Sequence, residues 1–130
     1  MSKIRFIHLL LTATLGLLHL TASAQNSSSA ILASAEKSHI YTANIDAGSI
    51  TRVSIDGAEH SEQSLGKDIR RLALSDDGEL LVASDYLGDK IFILQAKTLT
   101  LLHTLDTGRR PFSVLYDPDN QWFWATIFED

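Results

Sequence analysis

The sequence predicts an all-β fold made of repeated four-stranded antiparallel sheets, and two observations lead to this prediction. Residues 69–85 (IRRLALSDDGELLVASD) and residues 111–127 (PFSVLYDPDNQWFWATI) follow one pattern at a step of 42 residues. Turn residues divide each copy into short apolar runs that have no helical period. Self-similarity at a step of about 40 residues is typical of repeat architectures, in which each copy is one supersecondary unit.

The one complete copy, residues 69–110, contains four predicted strands. The first, Arg71–Leu74, ends at Ser75-Asp76-Asp77-Gly78, where an Asp carboxylate can bond the nearby backbone and Gly tolerates a positive φ. The other three are Glu79–Ser84, Lys90–Leu94 and Leu99–Leu105, with loops at Asp85–Asp89 and Gln95–Thr98 between them. Short strands at this spacing, separated by turn chemistry, predict a β-meander.

The second strand of the copy is apolar throughout, from Leu80 to Ala83. A strand has this composition when both faces of its sheet are covered. Its counterpart in the third copy, Trp122–Ala125, is also apolar throughout, so we expect its aromatic residues to pack between sheets rather than to stack on a ligand. Four-stranded sheets packed face to face on their own copies are the blades of a β-propeller.

The first copy is degenerate but can be aligned. His39–Asn44 corresponds to Leu80–Asp85 at a step of 41, and Leu65–Lys67 corresponds to Thr107–Arg109 at a step of 42. One inserted residue after the third strand would explain the change, and loops tolerate such insertions. The predicted blades are therefore residues 30–68, 69–110 and a partial third at 111–130.

The N-terminus predicts a secretory signal peptide over residues 1–24. Lys3 and Arg5 precede an apolar region, Leu9–Leu20, and Ala22-Ser23-Ala24 provides a cleavage site after Ala24. An uncleaved anchor helix is the alternative, but polar residues interrupt this stretch, and a spanning helix needs about 20 predominantly apolar residues. We therefore expect a periplasmic or secreted protein without a stable membrane anchor, and a flexible lead-in at residues 25–29.

Charge and cysteine content exclude several classes of function. The chain has a formal net charge of −5, and removal of Lys3 and Arg5 with the signal peptide would make it −7. An acidic chain is a poor candidate for nucleic-acid binding. Cysteine is absent from the sequence, so a disulfide framework and thiolate metal sites are both excluded.

The repeat resembles the YVTN family of β-propeller repeats. The resemblance is carried by Leu74–Ser84, by Tyr41-Thr42-Ala43-Asn44 and by Gly108-Arg109-Arg110-Pro111, and it extends over residues 30–130. It implies an exported propeller. Members of that superfamily serve as binding surfaces, surface-layer components or domains of periplasmic oxidoreductases, and their relatives include sugar lactonases.

The length predicts an incomplete ring. The 106 residues after Ala24, at a step of 42, make roughly two and a half blades, whereas propellers close with about 4–8. Three interpretations remain open: a truncated or frameshifted reading frame, a fragment of a larger propeller, or a chain that completes a ring by self-association through its exposed blade faces.

Basic residues at the junctions between blades form the candidate binding site. In a propeller these junctions run over one face toward the central channel, where cations in an acidic protein would attract an anionic ligand or a protein partner. Solvated charges, or pairing of Arg71 and Arg110 with neighbouring aspartates, would be a simpler explanation. The site residues are Lys67, Arg70, Arg71, Arg109 and Arg110.

Other candidate chemistry is weaker. Asp46, Asp85 and Asp89 could supply oxygen ligands for Ca²⁺, but we expect ordinary turn aspartates. His39, His60 and His103 have no neighbour at metal-ligand spacing, and neither a nucleophile elbow nor Cys-x-x-Cys-His occurs. The sequence therefore favours a non-catalytic binding or scaffold module without metal or cofactor. The alternative is an incomplete piece of a propeller enzyme, either a sugar lactonase or the propeller domain of a periplasmic dehydrogenase.

Overall fold

The computed structural model describes residues 30–128, which form three antiparallel sheets and no helix. The strands are β1 (Ile31–Ala33), β2 (His39–Asn44), β3 (Ser49–Ser54), β4 (His60–Ser64), β5 (Ile69–Leu74), β6 (Leu80–Asp85), β7 (Lys90–Gln95), β8 (Thr100–Asp106), β9 (Pro111–Asp117) and β10 (Trp122–Ile127). The predicted all-β fold with four-stranded antiparallel sheets is therefore confirmed.

Within each sheet, every strand pairs with the next one along the chain. The first sheet has the order β1-β2-β3-β4, the second β5-β6-β7-β8, and the third contains β9 and β10. The first strand of the second sheet, β5, contacts β2 on one side and β9 on the other, so the three sheets pack face to face in chain order. This is the arrangement of consecutive propeller blades.

Apolar side chains fill both spaces between the sheets. Because side chains alternate between the two faces of a strand, β6 contributes Leu81 and Ala83 to the space shared with the first sheet, and Val82 to the space shared with the third. Tyr41 and Ile50 also belong to the first cluster, and Val114 belongs to the second. The prediction that this strand is buried on both faces is therefore confirmed.

The turn predicted at Ser75-Asp76-Asp77-Gly78 forms as expected. The Ser75 hydroxyl donates to Asp77 Oδ1, which also accepts the backbone N–H two residues further on, and Gly78 has a φ of +72°. The same turn recurs at Ser54–Gly57 between β3 and β4, where Gly57 has a φ of +73°. One local hydrogen-bonding pattern thus closes two hairpins.

The expectation that Trp122–Ala125 is core is wrong for most of its residues. Phe123 packs toward the second sheet, but Trp122 and Trp124 are 56% and 52% exposed. Val82 occupies the place equivalent to Trp124 and is only 1% exposed, because the third sheet covers it. Within residues 30–128 no further sheet covers the outer face of β9 and β10.

The predictions for residues 1–24 and 25–29 lie outside the described residues. In the described part of the chain there is no helix that is long and apolar enough to cross a membrane.

Candidate ligand-binding loop face

The predicted basic residues lie at one end of the sheets. Because consecutive strands run in opposite directions, all the loops that lead from an even-numbered strand to an odd-numbered strand are at this end. These loops are residues 45–48, 65–68, 86–89 and 107–110. We call this end the loop face, and we call the other end, where the hairpin turns from odd to even strands lie, the turn face.

Arg70 is held in a fixed position on the loop face. Its Nε and Nη2 atoms donate to the two carboxylate oxygens of Asp68, each at 2.8 Å, and Asp68 is buried. These hydrogen bonds raise the pKa of the Arg70 guanidinium. The Arg70 Cζ atom also lies 3.8 Å from the ring centroid of Tyr86, at cation–π distance. The charge of Arg70 is thus balanced by Asp68, and its main effect is to orient Tyr86.

Two further arginines join this group. The Arg71 Cζ atom is 5.4 Å from the ring centroid of Phe112, and the Arg110 Cζ atom is 5.8 Å from that of Tyr86. The two rings meet edge to face, with centroids 6.3 Å apart. The structure therefore brings three of the five predicted residues around two aromatic rings. We call the five residues Arg70, Arg71, Tyr86, Arg110 and Phe112 the arginine–aromatic cluster.

Lys67 and Arg109 are exposed beside this cluster, in the loops that precede β5 and β9. Among the described residues, the side chains of Lys67, Arg71 and Arg109 form no ion pair. Arg71 instead donates from Nη1 to the carbonyl oxygen of Arg70 at 3.0 Å. Arg70 forms an ion pair with Asp68 on this face.

A buried carboxylate holds the loops in place. Asp85, at the end of β6, is 1% exposed and accepts three backbone N–H groups, from Lys67 at 3.1 Å, Asp68 at 2.9 Å and Gly88 at 3.1 Å. A Cβ atom on Gly66 or Gly88 would lie 2.0 Å or 1.9 Å from Asp85 Oδ2. Only glycine leaves room for the carboxylate at these two positions.

Two of the three aspartates considered for Ca²⁺, Asp85 and Asp89, bond the backbone. Besides the three bonds of Asp85, Asp89 Oδ1 accepts the N–H of Arg110 at 2.9 Å. Over residues 30–128, no group of three or more acidic or histidine side chains could hold a metal ion.

On the turn face, His39 links two other polar side chains. Its Nε2 donates to Glu59 Oε2 at 3.1 Å, and its Nδ1 is 2.9 Å from the Ser38 hydroxyl oxygen. The hydrogen bond from His39 lowers the pKa of Glu59. The three residues line a shallow open depression of about 370 Å³. The sequence did not predict this array because Glu59 is 20 residues from His39. The other described histidines, His60 and His103, are exposed.

Sequence reasoning also missed the aromatic part of the loop face. Tyr86 follows β6 directly, and Phe112 is the second residue of β9. The signal available in the sequence was Phe112, which lies two residues after Arg110, whereas Tyr86 has no basic residue next to it. Only the packing of the second sheet on the third shows that the two rings meet.

Comparison with known proteins supports the fold. No protein-family model and no curated protein matches the chain. Similar solved structures include dihydro-heme d1 dehydrogenase NirN in complex with DHE (TM-score 0.70, 22% identity), Kuenenia stuttgartiensis hydrazine synthase (0.69, 15%) and the Myceliophteria thermophila Cps50 (Swd1) β-propeller domain (0.64, 16%). Each match covers 82% of this chain but only 24%, 32% and 33% of the respective structure.

The chain therefore spans between about a quarter and a third of the length of these three solved structures. Together with the three face-to-face sheets, this likeness shows that residues 30–128 form a β-propeller module. At 22% identity or less, the likeness shows the fold alone.

Proposed function

We propose that this chain is an exported, non-catalytic β-propeller module of the YVTN type that binds an anionic ligand, or an acidic segment of a protein partner, on its loop face. The observation that carries the proposal is the arginine–aromatic cluster, in which residues from two blade junctions meet. Propellers use such loop faces for many different functions, so the argument depends on the side chains and not on the fold.

The distribution of charge supports anion binding. The five hairpin turns of the turn face carry seven acidic and two basic residues. The four loops of the loop face carry three of each, and the strand ends that border them add Arg70, Arg71 and Lys90 against Asp85 and Asp106. The acidic excess of the chain is thus concentrated away from the candidate site. Exposed cations such as Lys67 and Arg109, at the less acidic end of a chain, raise the local concentration and the association rate of anions.

The geometry supports a preformed site. Asp68 and Tyr86 hold Arg70, and Arg70 in turn offers its carbonyl oxygen to Arg71. A guanidinium group whose position is already restricted loses less entropy when it binds a carboxylate or phosphate in the bidentate geometry that arginine favours. Phe112, which is 41% exposed, adds an apolar surface next to Arg71.

Titration calorimetry at low salt with two probes, citrate and inorganic phosphate, tests this proposal. We expect Arg71→Glu and Arg109→Glu to weaken binding by about tenfold or more each, equivalent to about 1.4 kcal/mol. Lys37→Glu is the matched control, because Lys37 is an exposed cation on the turn face. Equal affinities for all three variants, or no binding by the unmodified chain, would contradict the proposal.

Export is tested separately. We expect the full chain, expressed in a bacterium, to appear outside the cytoplasm with Gln25 as its first residue. A cytoplasmic product that keeps Met1, or a product that stays in the membrane, would contradict this part of the proposal.

A piece of a propeller enzyme is the second candidate, and the array of Ser38, His39 and Glu59 favours it. When His39 Nε2 donates to Glu59, Nδ1 of the neutral imidazole can accept the proton of the Ser38 hydroxyl. A hydroxyl bonded to a carboxylate-oriented imidazole is the activation used by serine hydrolases. The Glu59 side chain is 65% exposed, however, so its hold on the ring is weakened by solvent. Hydrolysis of p-nitrophenyl acetate that His39→Ala abolishes and His60→Ala leaves unchanged would support this candidate over the first.

A further inference from the structure

Two side chains of the arginine–aromatic cluster occupy the same place in successive blades. Arg70 is the second residue of β5, and Phe112 is the second residue of β9, 42 positions later (112 − 70). Each is passed over in the pairing with the following strand, because the register shifts by one residue at this point. Such β-bulges redirect a side chain and are common next to binding sites. Both side chains meet the ring of Tyr86 on the loop face.

The two bulge residues differ in how far their side chains are already engaged. Arg70 is paired with Asp68, and its Cζ atom lies 3.8 Å from the ring centroid of Tyr86, so a ligand would have to displace these contacts. Phe112 is 41% exposed, and the nearest guanidinium carbon, that of Arg71, is 5.4 Å from its ring centroid, which leaves part of the ring open. Arg70 therefore builds the wall of the site, and Phe112 is available to a ligand.

Arg71 supplies a positive charge beside this open ring. Its Nη1 atom donates to the carbonyl oxygen of Arg70, and among residues 30–128 its side chain forms no ion pair. A guanidinium group has five N–H donors, so Arg71 can still donate to a carboxylate. Because its Cζ atom and the ring centroid of Phe112 are 5.4 Å apart, one small molecule can contact both side chains at once.

We propose, on the basis of the function proposed above, that the anionic ligand of the loop face is a small aromatic carboxylate. Its carboxylate binds Arg71, and its ring stacks on Phe112. An aliphatic carboxylate of the same charge would contact Arg71 in the same way but would make no ring contact with Phe112. Aromatic pairs are more favourable than the burial of their apolar area alone, so the site should distinguish the two kinds of anion.

Acidic residues near the site affect anions of equal charge alike. Asp68 and Asp89 accept hydrogen bonds from the arginines of the loop face. Glu129 and Asp130 follow β10 in the sequence and lie outside the described residues. All of these charges lower the affinity for any anion, so they cancel in the ratio of affinities for two ligands that carry the same charge. This ratio therefore isolates the contribution of the ligand ring.

Three tricarboxylates are the probes: benzene-1,3,5-tricarboxylate, cyclohexane-1,3,5-tricarboxylate and the acyclic propane-1,2,3-tricarboxylate. At pH 8 all their carboxylates are ionised, so the three carry the same charge. In titration calorimetry at low salt, we expect the full chain to bind the benzene compound about threefold or more tightly than the cyclohexane compound, and about tenfold more tightly than the acyclic one. The ring-proton resonance of the benzene compound should move upfield on binding, because its ring lies over that of Phe112.

Substitutions of Phe112 test the location of the ring contact. Phe112→Leu keeps an apolar side chain, so the variant should retain its affinity for the acyclic compound, which also shows that it is folded. Its preference for the benzene over the cyclohexane compound should fall to about one. Phe112→Tyr keeps an aromatic ring and should keep the preference. Trp122→Leu is the matched control, because Trp122 is an exposed aromatic residue on the turn face, and it should leave the preference unchanged.

The possible failures of the two proposals can be told apart. Equal affinities for the benzene and cyclohexane compounds would show that the site does not recognise an aromatic ring, and would overturn the inference while the anion site remained. A preference that Phe112→Leu leaves unchanged, or an unshifted ring-proton resonance at saturation, would do the same. If none of the three compounds bound to the chain, the proposed function would fail together with the inference.

Discussion

Removal of the Asp85 carboxylate should have the largest effect of any single polar substitution in the described residues. Asp85→Ala leaves the N–H groups of Lys67, Asp68 and Gly88 without their acceptor. A hydrogen bond to a charged group contributes about 1.5–3 kcal/mol, and an unsatisfied buried donor costs about 1–3 kcal/mol. Since water can reach the exposed Lys67 most easily, we expect a total loss of about 3–6 kcal/mol in the free energy of unfolding.

The loss is large relative to the stability of the whole module. Small domains are stabilised by about 5–15 kcal/mol, so Asp85→Ala would leave little residual stability at the lower end of this range and most of it at the upper end. Asp85→Asn should lose less, because its carbonyl oxygen can keep the two N–H groups of Asp68 and Gly88 that Oδ1 now accepts. Its amide nitrogen would then face the N–H of Lys67, which donates to Oδ2.

A double-mutant cycle with Gly88→Ala gives the sharpest assay. The added Cβ would lie 1.9 Å from Asp85 Oδ2, so Gly88→Ala should destabilise the chain strongly while the carboxylate is present and much less after Asp85→Ala. Urea unfolding of all variants, followed by far-UV circular dichroism at one protein concentration, measures the differences in free energy from the shifts in midpoint. A loss under about 0.5 kcal/mol for Asp85→Ala, the usual range for surface substitutions, would refute the reasoning, as would additive effects of the two changes.

Three further predictions follow from burial and charge. Leu81→Ala, at a fully buried position, should lower the free energy of unfolding by about 2–5 kcal/mol, whereas Leu101→Ala at an exposed position should change it by less than about 0.5 kcal/mol in the same urea experiment. The hydrogen bond from Ser75 lowers the pKa of Asp77 below 3.8, so the contribution of ionised Asp77 to the free energy of unfolding is complete above pH 3.8 and is lost as the pH falls through the lowered pKa of the folded state. Ser75→Ala should reduce this loss of stability in acid, measured as the free energy of unfolding against pH. An unchanged dependence on pH would contradict the assignment. Expressed alone without residues 1–24, the chain should be multimeric or unfold with low cooperativity, because Trp122, Trp124 and the edges of the two-stranded sheet are uncovered in residues 30–128. A sharp two-state melt of a monomer would contradict this.

The parts of the fold that could be predicted are those set by local chemistry. The Ser75–Gly78 turn is closed by hydrogen bonds within five residues, and the apolar run Leu80–Ala83 has the composition of a strand with two covered faces. Two strands of the first sheet carried no such signal. β1 has three residues, and β4 is the polar sequence HSEQS on the outer edge of its sheet. These strands form because a neighbouring strand supplies hydrogen-bond partners.

In the candidate site, too, the sequence predicted what depends on position in the repeat and did not predict what depends on packing. The repeat alignment placed the five basic residues at the blade junctions, where they are found. It did not show that Arg70 is paired with Asp68, that Tyr86 and Phe112 meet, or that Asp85 holds three N–H groups of two loops. These contacts join residues up to 26 positions apart, and their geometry depends on how one sheet packs on the next.

The sequence by itself thus determined the strand pattern, the repeat and the acidic composition, because strand periodicity and turn hydrogen bonds act between near neighbours. The tertiary structure decided which apolar residues are core and which are surface. Trp124 and Val82 occupy the same place in the repeat, yet one is 52% and the other 1% exposed. The difference lies in whether another sheet packs on that face, and no property of the residue itself specifies it.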